Sequence, residues 1–126
     1  MFGSGLAYGP PGWPDQVRPP GAPEWEVTAA AYLLDCCPAD FRSYRVLRNH
    51  PIVLAQFARH FVEGQSQAAQ EGLAAARTGL QDFVEPSVLE EATQAWLEQS
   101  ARLVRTRRAV AMVEAVLRGR TFVPKL

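Results

Sequence analysis

The feature that most constrains the fold is a seven-residue repeat of large apolar side chains in the second half of the chain. One such side chain recurs at every seventh position, and Ala92 and Val113 add apolar neighbours beside the repeat. This spacing is the apolar stripe of an amphipathic α-helix, and it predicts a helix over about residues 87–118. The stripe consists of Leu89, Trp96, Leu103, Val110 and Leu117.

Both ends of this helix carry residues that commonly begin and end helices. Ser87 follows Pro86, and Ser87 with Glu90 has the spacing of a capping box, in which the two side chains accept hydrogen bonds from free backbone N–H groups. Gly119 follows the last apolar residue, and Arg118 places a cation near the carbonyl end of the helix. We therefore expect the helix to begin at Ser87 and to end at Arg118.

A second long helix is predicted over about residues 50–83. Asn49 is a favourable N-cap, and Pro51 suits the first turn of a helix. Because glycine inside a helix costs roughly 0.5–1 kcal/mol relative to alanine, we expect the other helix to approach closely, with Trp96 against the surface at Gly72. The stripe of this helix consists of Ala55, Val62, Ala69, Ala76 and Phe83, with Leu73, Leu80, Gly72 and Gly79 beside it.

Together the two helices predict an all-α fold, a long antiparallel helical hairpin that turns back at residues 83–86. Residues 24–37 and 40–47 have helical patterns and would form a short N-terminal helical head over the open end of the hairpin. Each arm would be about 50 Å long at 1.5 Å per residue, whereas a compact chain of this length has a diameter of about 36 Å. The hairpin must therefore project beyond the head or bend, with the polar stretch at 64–67 as the expected place.

The first 23 residues differ from the rest, because they hold six of the ten prolines and five of the nine glycines. Such a segment is expected to be an extended arm with polyproline II character. Its aromatic residues Phe2, Tyr8 and Trp13 leave two interpretations open: docking in a partner's groove, or packing on the helices of the same chain. Residues 120–126 are expected to form a C-terminal tail.

Composition excludes several classes of function. The chain has 13 basic and 13 acidic residues, which argues against a general nucleic-acid binder. It has no apolar run long enough for a membrane span and no signal-peptide pattern at its start, so we expect a cytoplasmic protein. Arg outnumbers Lys by 12 to 1, which indicates a GC-rich coding sequence of the kind found in bacteria.

Candidates for catalytic or metal chemistry are few. His50 and His60 are ten residues apart and do not share a helix face, as two zinc ligands would. Cys36 and Cys37 are adjacent rather than spaced as C-x-x-C, which favours free, buried thiols. Cys37, His50 and Asp40 could form a nucleophilic arrangement, but their spacing does not support one. No phosphate-binding loop is present. We therefore predict no enzymatic activity, no cofactor and no metal site.

Charge is distributed unevenly along the predicted hairpin. A cluster of arginines in the second helix is typical of a solvated face, or of a contact for an acidic partner or a phosphate backbone. An acidic group lies at the turn, so the hairpin is acidic at its tip and basic lower down, which favours antiparallel self-association. The basic cluster is Arg102, Arg105, Arg107 and Arg108; the acidic group is Asp82, Glu85, Glu90 and Glu91.

These observations predict a non-enzymatic protein-protein interaction or adaptor protein that acts through one face of the hairpin, with a second copy or with another protein. One alternative is a regulator that contacts nucleic acid or the transcription apparatus through the cluster from Arg102 to Arg108. Another is a small-molecule or catalytic role near Cys37 and His50. The predicted partner-binding residues are Leu73, Leu80, Leu89 and Trp96.

Overall fold

The computed structural model of the protein describes residues 9–119, and these residues form an all-helical fold without strands. The elements are α1 (Trp25–Asp35), a 3-10 helix (Ala39–Ser43), α2 (Arg45–Asn49), α3 (Pro51–Leu80) and α4 (Pro86–Leu117). The two long helices α3 and α4 pack against each other and are called the helix pair below; α1 and α2 pack mainly on α3. We call α1, the 3-10 helix and α2 the head. None of the helices in residues 9–119 is long and apolar enough to cross a membrane.

Two contacts show how α3 and α4 are arranged. Arg59 near the start of α3 bonds to Glu114 near the end of α4, and Gly72 further along α3 lies against Trp96, which is earlier in α4. The two helices therefore run in opposite directions. Their 30 and 32 residues correspond to about 45 Å and 48 Å. α3 continues through residues 64–67 without a break.

The starts of both long helices differ from the prediction. α3 begins at Pro51 with His50 as its N-cap, and Asn49 is instead the last residue of α2. α4 begins at Pro86, so Ser87 lies inside the first turn and no side chain forms a cap. In each case proline occupies the first helical position, which its fixed φ suits, and the residue before it becomes the cap. The predicted capping box at Ser87 is therefore wrong.

The end of α4 agrees with the prediction. Gly119 has a φ of +90°, which glycine adopts without a steric penalty. Its N–H donates to the carbonyl of Val116 at 2.9 Å, which satisfies one of the free carbonyls at the helix end.

The predicted helix at 40–47 is two separate elements. Tyr44 has extended backbone angles and separates the 3-10 helix from α2. This break lets Phe41 pack edge-on against Phe57 and Phe61, at ring separations of 6.0 and 4.9 Å. Leu47 is then buried on the other side of the break. Tertiary packing of these apolar side chains therefore decides the local structure.

The hydrophobic core lies at the end of the helix pair that carries the head. Along the stripe of α4, Val110 and Leu103 are buried, whereas Trp96 and Leu89 are only half-buried. Phe83 does not continue the stripe of α3, because α3 ends at Leu80 and Phe83 lies in the turn, 83% exposed. The largest fully buried apolar side chains are Leu33, Leu47, Leu54, Val62, Val110 and Val113.

Residues 9–24 form a series of turns rather than an extended polyproline II segment. The N–H groups of Trp13 and Val17 donate to the carbonyls of Pro10 and Pro14, as in successive β-turns. Trp13 packs 6.5 Å from Trp25, and Val17 is buried. This part of the N-terminal segment therefore lies on its own chain. The rest of it, with Phe2 and Tyr8, and residues 120–126 lie outside the described residues.

Candidate functional site

A cleft of about 650 Å³ separates residues 12–16 from α1 and α4. We call it the head cleft. Its volume is within the range of about 300–1,000 Å³ that is common for ligand sites. Residues 12–16 provide one wall, the C-terminal end of α1 a second, and the middle of α4 a third. Its lining includes Trp13, Tyr32, Cys36, Cys37, Arg102 and Arg105.

The two cysteines of the head cleft are free thiols, and both are half-buried rather than fully buried as predicted. Burial raises the pKa of Cys37 to about 11 and also raises the pKa of Cys36, although hydrogen bonding with Tyr32 and the positive charge of Arg102 partly oppose the second shift. Burial, together with the neighbouring Cys36, raises the pKa of the Tyr32 hydroxyl as well. Because only a thiolate is nucleophilic, both thiols are poorly reactive near neutral pH.

The histidine of the proposed catalytic arrangement lies elsewhere. His50 is exposed at the N-cap of α3, and it does not line the head cleft. Asp40 is exposed in the 3-10 helix. His60 is also exposed, and no group of three or more potential metal ligands occurs within residues 9–119. The cleft therefore brings Cys37 together with arginines and aspartates, and not with His50.

The predicted arginine cluster is divided between two clefts. Arg102 and Arg105 line the head cleft, whereas Arg107 and Arg108 line a second cleft of about 380 Å³ beside Arg59. Arg102 also donates to the side-chain oxygen of Gln99 at 2.9 Å. The four guanidinium groups therefore do not line one common cleft.

Of the predicted partner-binding residues, Trp96 of α4 lies against Gly72 of α3. All four are half-buried: Leu73, Leu80, Leu89 and Trp96. The ring of Trp96 fills the space above Gly72, where an added Cβ would lie 2.6 Å from the ring atom Cη2. The close approach predicted at Gly72 is confirmed, and Trp96 packs against the core. At Gly79 an added Cβ would meet nothing within 4 Å, and close packing within the chain therefore does not require glycine there.

A second stripe of α3, which was not predicted from the sequence, forms an exposed surface with one stripe of α4. On α3 it follows Phe57 and Phe61 at spacings of four and seven, and Phe41 of the head covers those two rings. On α4 it precedes Arg102 and Ala109, which line the head cleft, at a spacing of seven. The two stripes therefore lie on the side of the helix pair that carries the head, farther along the helices than the head itself. We call the two stripes together the small-residue surface: Ala68, Ala75, Gly79, Val88 and Ala95, all exposed.

The opposite side of α3 is polar. Arg59, Glu63, Gln70 and Arg77 recur there at spacings of four and seven. Arg59 donates to Glu114 of α4 at 2.7 Å and lies 3.6 Å from Glu63. Glu114 and Glu63 therefore balance the charge of Arg59. The small-residue surface consists of alanine, glycine and valine, so it is the less polar of the two sides of α3.

The turn between α3 and α4 presents a single aromatic ring to solvent. Phe83 is the most exposed large apolar residue of the described chain. Its N–H donates to the carbonyl of Leu80 at 2.9 Å, which fixes its backbone. Asp82 and Glu85 flank it and are exposed. We call residues 82–85 the acidic tip.

Comparisons with protein-family models, with curated proteins and with solved structures found no match for this chain. The geometry of the cleft, the small-residue surface and the acidic tip therefore carries the functional inference.

Proposed function

We propose that the protein is a non-enzymatic helical interaction protein that binds a second copy of itself through the small-residue surface. The observation that supports this most is the uneven core. The largest fully buried apolar side chains of the described chain lie at the head end, and in residues 67–100 only Ala69 and Ala76 are buried. We call residues 67–100 the distal half. Two helices alone bury little apolar area, and an uncovered apolar surface is typical of a binding site.

The side chains of the small-residue surface suit a helical partner. Alanine and glycine allow two helix axes to approach closely. Gly79 has open space beside it, since an added Cβ would contact nothing within 4 Å. Two helix pairs that meet on this surface would form a four-helix bundle, in which the apolar face of each pair is covered by the other.

The charge distribution favours an antiparallel arrangement of the two copies. The distal half carries six acidic residues and one arginine. The remainder of the helix pair, residues 51–66 and 101–118, carries six arginines and two glutamates. An antiparallel dimer places the acidic end of each copy beside the basic end of the other, whereas a parallel dimer places like charges together.

The area available is sufficient for a modest dimer. An overlap of about 19 residues per helix is about 28 Å long, and two helices side by side are about 20 Å wide. Each copy would then contribute on the order of 550 Å², close to the lower limit of about 1,000–1,200 Å² in total for specific interfaces. We expect a dissociation constant in the micromolar range.

The test uses two adjacent alanines on α3. Both Ala74 and Ala75 are exposed, but they point about 100° apart, and only Ala75 belongs to the small-residue surface. Ala75→Glu should give a monomer by light scattering and sedimentation, because it places a charge within the interface. Ala74→Glu, with the same change in charge and composition, should remain a dimer.

Circular dichroism should show equal helix content in both variants, since both positions are exposed in the single chain. A wild-type protein that stays monomeric at several hundred micromolar would contradict the proposal. Equal dimerisation of the two variants would do the same.

A further inference from the structure

We propose that the acidic tip of each copy inserts into the head cleft of the other copy, with Phe83 between the cleft walls and the carboxylates of Asp82 and Glu85 facing Arg102 and Arg105. This inference rests on the self-association proposed above. It assigns an occupant to the cleft and a role to the most exposed aromatic ring of the described chain.

The cleft has the chemistry that an aromatic ring flanked by carboxylates requires. Trp13, Tyr32 and Leu103 provide apolar walls. Arg102 and Arg105 provide guanidinium groups, which bind carboxylates through paired hydrogen bonds and also stack on aromatic faces. A volume of about 650 Å³ accommodates a phenyl ring with the adjoining turn.

The balance of charge in the cleft also favours an acidic occupant. Two acidic residues line it, Asp15 and Asp35, but Asp35 already accepts a hydrogen bond from Arg42 at 2.5 Å. Among the described residues neither Arg102 nor Arg105 forms an ion pair within the chain. One unpaired carboxylate therefore faces two guanidinium groups, and a tip with two carboxylates would reverse the imbalance.

The positions along the helices agree with a single two-fold axis. On α3 the cleft is lined by Val62 and Gln65, and the tip begins just beyond Leu80. An axis that exchanges residue 65 with residue 83 passes at residue 74, beside Ala75 of the small-residue surface. On α4, exchange of residue 86 with residue 103 places the axis near Ala95, which is on the same surface. The overlap that covers the small-residue surface therefore also brings each tip to a cleft.

The symmetry closes the assembly. Because the two-fold axis makes the contact reciprocal, both tips and both clefts of a dimer are occupied, and none is left to bind a third copy. The self-association should therefore stop at two chains.

The native thiols of the cleft provide a direct test. In Phe83→Cys, a short bis-iodoacetamide should join the introduced thiol to Cys36 or Cys37 of the second copy, and peptide mass analysis should identify the linked pair. The reaction is run near pH 9, because the raised pKa of Cys37 slows alkylation at neutral pH. Ala74→Cys, on the other side of α3, is the matched control and should give no such product.

A charge exchange gives an independent readout. Arg102→Glu with Arg105→Glu should weaken the dimer at least tenfold, and Asp82→Arg with Glu85→Arg should do the same. The chain that carries all four changes should recover at least part of the affinity, because the pairing is restored with reversed signs. Phe83→Ala should also weaken the dimer, and since the ring is exposed in the single chain, its loss should leave the thermal stability of the monomer unchanged.

The results separate this inference from the proposed function. If the wild-type chain dimerises, but Phe83→Cys gives no cross-link and Phe83→Ala dimerises as tightly as the wild type, the tip insertion is overturned and the self-association stays intact. A monomeric wild-type chain would overturn both.

Discussion

At the residue scale, Gly72 is the position where a side chain is excluded by its neighbour. The Trp96 ring occupies the place of a Cβ, with ring atoms 2.6 and 2.7 Å from it. Gly64 lies in the same helix, and there an added Cβ would contact nothing within 4 Å. The two glycines therefore share a helix but have opposite surroundings.

This difference predicts opposite effects of one substitution. Gly64→Ala should raise the free energy of unfolding by about 0.5–1 kcal/mol, because alanine loses less backbone entropy in a helix. Gly72→Ala should lower it by about 1–2 kcal/mol, because displacement of the indole ring costs more than the helix gains. Urea unfolding followed by circular dichroism measures both. Equal stabilisation of the two variants would show that the ring moves aside freely.

The close approach at Gly72 could be predicted from the sequence, because counting outward from the turn aligns it with Trp96. The first residues of α3 and α4 could not be predicted in this way. The predicted cap Ser87 and the observed cap Glu85 are two residues apart, and caps differ by only about 1 kcal/mol. So small a difference is decided by the turn and by Pro86, not by the intrinsic preference of serine.

At the scale of elements, one carboxylate joins α3 to the end of α4. Glu114 is buried, and it accepts hydrogen bonds from Arg59 of α3 at 2.7 Å and from Arg118 at 3.1 Å. Hydrogen bonds between charged groups are stronger when water is largely excluded. Glu63 also lies near Arg59, but it is exposed and its contact is 3.6 Å.

Glu114→Gln should therefore lower the free energy of unfolding by about 1–3 kcal/mol, because two guanidinium groups lose their shared charged acceptor. The same change at Glu63, an exposed position, should alter stability by less than about 0.5 kcal/mol. Thermal and urea unfolding of both variants provide the comparison. A loss at Glu63 as large as that at Glu114 would contradict this account of the link.

The elements differ in how far the sequence predicts them. The seven-residue stripes predict α3 and α4 because each helix is long enough for its period to be unambiguous. The break at Tyr44 was missed, since it depends on Phe41 reaching Phe57 and Phe61. Those contacts join residues that are distant in sequence, and a local sequence pattern does not predict such contacts.

At the scale of the whole molecule, the acidic distal half and the basic head end predict how the self-association responds to salt. The dissociation constant should rise several-fold between about 50 and 500 mM NaCl, because exposed charges are screened as the Debye length shortens. Sedimentation at a series of salt concentrations measures it. Asp82→Asn with Glu85→Gln should remove much of the dependence. A dimer that tightens with salt would instead indicate purely apolar contact.

The head cleft shows why the candidate site could be predicted only in part. Cys37, Arg102 and Arg105 could be singled out from the sequence, and they line the cleft. That they lie together could not be predicted, because the walls come from residues 12–16, the end of α1 and the middle of α4. Their juxtaposition follows from the packing of these segments with α3, whose Val62 and Gln65 also line the cleft.

The uneven core also determines how firmly each part of the chain is held in the native state. The distal turns of α3 and α4 lack large buried side chains, so they should open locally at lower cost than the turns beneath the head. The proposed binding surface therefore lies on the least protected part of the described fold. Association would have to order these turns as well as cover them, and part of the contact energy would be consumed in doing so. A chain built in this way gains a reversible contact, whose strength varies with the helical stability of its own distal half.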